Sequence, residues 1–124
     1  RTQAGRTPRT DPAEIVTVPR APAEKLSRLV IDLQEGFDDT AVALVVNGRE
    51  VLLREHLTTP LLTGLAESIE VITDVDHADV QITIDHGQQR HASRFDLTEG
   101  RFIGLSLRGG VIESIQSSNA FGYG

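Results

Sequence analysis

The sequence predicts an all-β fold: an antiparallel β-sandwich of about seven to eight strands, immunoglobulin-like or transthyretin-like, preceded by an extended N-terminal arm. Three observations predict it. From Leu26 onward, short β-prone runs recur at spacings of about ten residues with turn chemistry between them. No long stretch carries the period of a helix, and only Pro22 to Leu29 has residues that suit the start of a helical turn or two. Four of the five prolines (Pro8, Pro12, Pro19, Pro22) fall within residues 1–25, among Thr, Arg and Ala, a composition that favours extended backbone and supplies little to a core. The expected organisation is therefore an arm over 1–25 and a sandwich domain over 26–124. A chain of 124 residues is one domain's worth, large enough to bury a single core without staples.

The strands follow in order. Arg28 to Gln34 alternates Leu29, Ile31 and Leu33 against Arg28 and Asp32, as a half-buried strand does. Thr40 to Asn47 is apolar on both faces, which predicts a central strand or one covered by a partner. Asn47-Gly48 supplies the two positive-φ positions of a type I′ hairpin, returning through Arg49 to Glu55. His56 to Ala66 is the least regular stretch. Pro60 bars a central strand and Gly64 suggests a bulge or close approach, so a crossover between sheets is expected. Glu67 to Thr73 and Asp79 to Asp85 alternate on either side of the Asp74–Ala78 turn and read as neighbouring strands. The remaining runs are His91 to Leu97, Arg101 to Arg108 and Val111 to Ser117, divided by Thr98-Glu99-Gly100 and Gly109-Gly110. Phe121 and Tyr123 are expected to pack the end of the chain onto the sandwich.

Charge is unevenly spread. The net charge is −6, yet residues 1–25 hold Arg1, Arg6, Arg9, Arg20 and Lys25 against Asp11, Glu14 and Glu24, a net +2 that leaves −8 on the remainder. A basic arm on an acidic body suits docking on its own body or on a copy of it. Nucleic acid is not an expected partner, since the arm has few basic residues and no aromatic to stack on a base. No apolar run is long enough to insert across a bilayer, and the opening Arg1 reads as a trimmed or processed start.

The candidate chemistry is sparse. With no Cys, Met or Trp there is neither a disulfide framework nor a thiol nucleophile. Asp74, Asp76 and Asp79 place three carboxylates in six residues, a set that suits weak Ca²⁺ binding, but the loop lacks the glycine and distal glutamate of an EF-hand and reads better as a solvated turn. His86 and His91 flank one turn closely enough to face each other, while His56 and His77 stand apart, and no third zinc ligand is announced. No G-x-S-x-G elbow or phosphate loop occurs. Neither a catalytic residue nor a metal or cofactor is therefore expected.

Ile31–Phe37, the Asn47–Val51 hairpin, Gly64–Val71 and the Phe121-Gly122-Tyr123 ending together resemble an uncharacterised small bacterial β-sandwich domain family over residues 26–124. That resemblance supports the domain boundary and implies no activity.

The expected function is that of a non-enzymatic structural subunit. Its arm docks on a neighbouring copy through Ile15, Val16 and Val18, with Arg6, Arg9 and Arg20 supplying charge, giving a filament or another homo-oligomer, in one form by β-strand addition. The alternative is a protein- or carbohydrate-binding module joined to a larger protein by a Pro-rich linker; the scarcity of aromatics disfavours sugars. A filament subunit would sit outside the cell or on its surface, and any other role would leave it cytoplasmic.

Overall fold

The computed structural model describes residues 26–123, which form eight strands and no helix. In chain order these are β1 (Ser27–Leu33), β2 (Thr40–Val46), β3 (Arg49–Leu57), β4 (Glu67–Thr73), β5 (His77–Ile84), β6 (Gln89–Asp96), β7 (Phe102–Arg108) and β8 (Val111–Ser117). They make two four-stranded sheets, ordered β4-β1-β7-β8 and β3-β2-β5-β6, and hence a β-sandwich. The arm residues expected to bind a partner, Ile15, Val16, Val18, Arg6, Arg9 and Arg20, lie outside the described residues.

Each strand forms where period-two alternation gives it one face to bury. Leu29, Ile31 and Leu33 of β1 are fully enclosed, and they join Val42, Leu44, Ile82, Ile103 and Leu105 in a single core drawn from both sheets. The same alternation overrides the helical start considered for Pro22 to Leu29, because Ser27 onward is strand. β2 lies between β3 and β5, the central position its apolar run predicted, with Val42, Leu44 and Val46 facing the core and Ala43 and Val45 partly buried on the other face. Asn47 and Gly48 take φ of +51° and +82°, as a type I′ turn requires.

Two pairings differ from expectation. Glu67–Thr73 and the strand after it are not neighbours: β4 pairs with β1, and β5 pairs with β2 and β6 in the other sheet. The Asp74–Asp76 connection is thus an arch between sheets. β1 and β7 run parallel, Val30 opposite Phe102 through Leu33 opposite Leu105, so the first sheet is mixed rather than wholly antiparallel. Parallel neighbours need a long connection, and here the whole second sheet lies between them in sequence. An immunoglobulin arrangement would place the first and second strands in one sheet; their separation leaves the transthyretin-like alternative.

The registers define two ends of the sandwich. Leu26, the β2–β3 hairpin, the β4–β5 arch and the β6–β7 turn lie at the entry end. The connections 34–39, 58–66, 85–88 and 109–110 lie at the far end. The 58–66 segment crosses between sheets, as expected, and Arg54 straddles the same gap by a bidentate pair with Glu67 at 3.0 and 2.8 Å.

Candidate functional site

The outer face of the β4-β1-β7-β8 sheet carries the most organised polar cluster among the described residues. It starts from Asp32, which alternation turns away from the core yet whose residue is only 5% exposed. Ser68, directly opposite on β4, donates its hydroxyl to Asp32 Oδ1 at 2.6 Å. The Tyr123 hydroxyl donates to Asp32 Oδ2 at 2.5 Å and accepts from Gln34 Nε2 at 2.9 Å. Ser106 on β7 reaches Gln34 Oε1 at 3.5 Å. No cation among the described residues pairs with this buried carboxylate; hydroxyl donors hold it, the condition under which its burial is tolerable.

Gly104 makes the cluster possible. A Cβ at this position would sit 2.6 Å from the Gln34 side chain, so the glycine is the space Gln34 occupies. The tail after β8 turns back from the entry end across this face, and Phe121 and Tyr123 pack onto the sandwich as the sequence suggested. With Gln34, Ser106, Ile115 and the 61–64 loop they bound a groove of about 510 Å³. Burial of the phenol, then its hydrogen bond to Asp32, pushes the Tyr123 pKa up to about 12. Such a phenol stays protonated at neutral pH and serves as a clasp rather than as a base.

The four histidines do not converge. His56 Nδ1 meets Asp39 at 2.7 Å, and His86 Nε2 meets Glu55 at 3.2 Å, both on open surface at the far end. His91 turns instead to Ser93 at 3.4 Å, so His86 and His91 have different partners rather than one shared site. In the Asp74–Asp79 loop, Arg94 grips Asp79 at 2.7 and 3.0 Å, and that hydrogen bonding holds the Asp79 carboxyl below the ordinary range. Among the described residues no three His, Asp or Glu side chains are grouped to hold a metal ion.

The four sheet edges differ in how they are guarded. β3 carries Arg49, Glu50, Arg54, Glu55 and His56 and two register shifts against β2. β6 carries Arg90, Arg94 and Asp96. On β4, Glu67 and Glu70 are tied by Arg54 and Arg28. β8 has one charged side chain, Glu113, which Arg108 of β7 pairs at 3.0 Å, an unbroken register with β7, and exposed Val111 and Ile115. Charge and bulges discourage strand addition, so β8 is the least protected edge.

The sequence reading missed this cluster and the exposed leucines at Leu61 and Leu62. Two signals were present: small residues alternating at Gly104 and Ser106 within a strand, and ten consecutive uncharged residues from Leu57 to Ala66. Compared with protein-family models, curated proteins and solved structures, the chain gave no match.

Proposed function

We propose that the protein is a non-enzymatic structural subunit that assembles by laying residues 1–25 on a neighbouring copy, with Ile15, Val16 and Val18 added as a strand beside β8. The observation that carries this reading is the contrast between edges: three carry two or more charged side chains, and β8 carries Glu113 alone, paired with Arg108, in an unbroken register. An incoming strand gains main-chain hydrogen bonds there, and exposed Val111 and Ile115 offer apolar contact to alternate side chains. Arg6, Arg9 and Arg20 suit a body that carries the chain's excess of acid.

Substituting Val16→Asp or Val18→Asp tests it. At micromolar concentration either change abolishes higher assembly, because a charge buried unpaired in a docking strand costs several kcal/mol, while circular dichroism and cooperative unfolding of the body stay as they were. Assembly that survives both changes contradicts strand addition. The second reading is a protein-binding module, favoured by a groove of about 600 Å³ beside Phe37, Thr59 and Leu61 at the far end. It predicts a chain that is monomeric with or without its arm.

A further inference from the structure

Residues 19–22 read Pro-Arg-Ala-Pro, the Pro-x-x-Pro spacing of segments that bind as polyproline helices, and they follow Val18 directly in the chain. Such a helix has no internal hydrogen bonds. A surface that takes it therefore offers apolar walls to the proline rings and donors to the free carbonyls. The groove of about 510 Å³ on the outer face of the β4-β1-β7-β8 sheet offers both. Phe121 and Tyr123 supply rings, and Leu61 and Leu62, 100% and 89% exposed, supply aliphatic walls that nothing among the described residues covers. Arg108 supplies donors beyond its two ion pairs, since a guanidinium carries five N–H groups. Those pairs are with Glu35 at 3.1 Å and Glu113 at 3.0 Å. Two glutamates thus share one arginine, and the margin of the groove keeps a negative charge that suits Arg20.

We infer that Pro19–Pro22 of one copy lies in this groove of its neighbour, crossing the sheet from β8 over β7 to β1. β8 runs from the 109–110 turn at the far end toward the entry end, so a strand added antiparallel to it runs the other way and delivers Pro19 to the far end. Glu113 and Ile115 stand opposite Ser106 and Gly104 on the outer face, which makes the open edge and the groove one continuous surface. Four polyproline residues extend about 12 Å. The path from Ile115 on β8 past Ser106 on β7 to Gln34 on β1 covers two strand spacings, about 10 Å. The same copy cannot supply the segment. Its Pro22 lies four residues before Leu26 and reaches at most about 14 Å from it. Gln34 lies eight residues beyond Leu26 along β1, about 26 Å away. The contact presupposes that residues 1–25 dock on a neighbouring copy, and it names the groove that receives them after the added strand.

The chain has no cysteine, so paired substitutions in the full-length protein report the contact by disulfide trapping. Ala21→Cys chains and isotopically labelled Leu62→Cys chains are mixed in denaturant, refolded together under reduction to about 10 µM, and then oxidised. The expected product is a dimer of one labelled and one unlabelled chain, formed in preference to the pairing of Ala21→Cys with Asp74→Cys at the entry end. Adding Pro19→Ala and Pro22→Ala to the first chain lowers the yield about fivefold, because a segment that is not pre-organised docks less tightly. Adding Arg20→Glu lowers it as well. Leu62 is exposed, so its variant keeps the parent's unfolding midpoint. Light scattering on the parent chain separates the two ways of failing. A parent that assembles but shows no preference for Leu62→Cys overturns this contact and leaves the arm reading standing; a parent that stays monomeric overturns both. A disulfide closed within single chains of the Ala21→Cys, Leu62→Cys double variant puts the segment on its own body, which is contrary to the contact. A yield that the proline changes leave untouched means that the tether alone brings the cysteines together, and is equally contrary.

Discussion

Tyr123 and Asp32, 91 positions apart, meet through a 2.5 Å hydrogen bond that ties the tail to the central β1 strand. Asp32 is 5% exposed, so the phenol and Ser68 satisfy a carboxylate that water does not freely reach. The Tyr123→Phe variant removes one of those donors and should cost about 1–3 kcal/mol in denaturant unfolding. The released tail should also become a site of early proteolysis.

The same contact sets a pH dependence. The folded Tyr123 pKa is raised to about 12, above the ordinary value of 10.0. A group whose pKa is raised on folding contributes stability that is complete below its unfolded value and is lost as pH climbs to the folded one. Stability from this contact should therefore be flat below about pH 10 and fall between about 10 and 12. Tyr123 is the one tyrosine in the chain, so ultraviolet titration of tyrosinate reads it directly. A midpoint near the ordinary value in the folded protein would show that the tail is not clasped.

Gly36 and Gly104 should respond differently to alanine. At Gly36 a Cβ would lie 1.6 Å from the Leu107 carbonyl oxygen, and φ is +93°, so both backbone and neighbour resist. Gly36→Ala should destabilise by more than about 2 kcal/mol. At Gly104 the obstacle is the movable Gln34 side chain, so Gly104→Ala should cost less, and because the Gln34 hydrogen bond lowers the Tyr123 pKa while burial and Asp32 raise it, the tyrosine titration should stay raised when Gln34 is displaced. Equal unfolding penalties for the two would contradict this division.

Gly48→Val probes the hairpin alone. Nothing lies within 4 Å of a Cβ built there, so strain at φ +82° is the whole effect, about 1–3 kcal/mol. Unchanged stability would mean that the turn is not type I′.

Strand positions were legible because period-two alternation and turn residues are local. Asn47-Gly48 and Gly109-Gly110 mark their hairpins in sequence, and all four residues take positive φ. Sheet membership was less so: Thr73 and His77 flank what looks like a hairpin turn, yet the chain changes sheets there, with the Asn47 side chain bridging Thr73 and the His77 carbonyl. The β1–β7 pairing and the Asp32–Tyr123 clasp were hidden for the same reason. Both depend on residues about 70 to 90 positions apart, whose meeting follows only from the assembled sandwich. Leu61 and Leu62 lie in the expected crossover, and their exposure of 100% and 89% could not be read from it, because no alternation there marks a face.

The most direct test of the central claim compares the molar mass and shape of residues 1–124 with those of residues 26–124 by light scattering and negative-stain microscopy at micromolar concentration. The account predicts oligomers or filaments from the longer chain and a folded monomer from the shorter. Two monomers, or two identical assemblies, would contradict the arm's role as the assembly element.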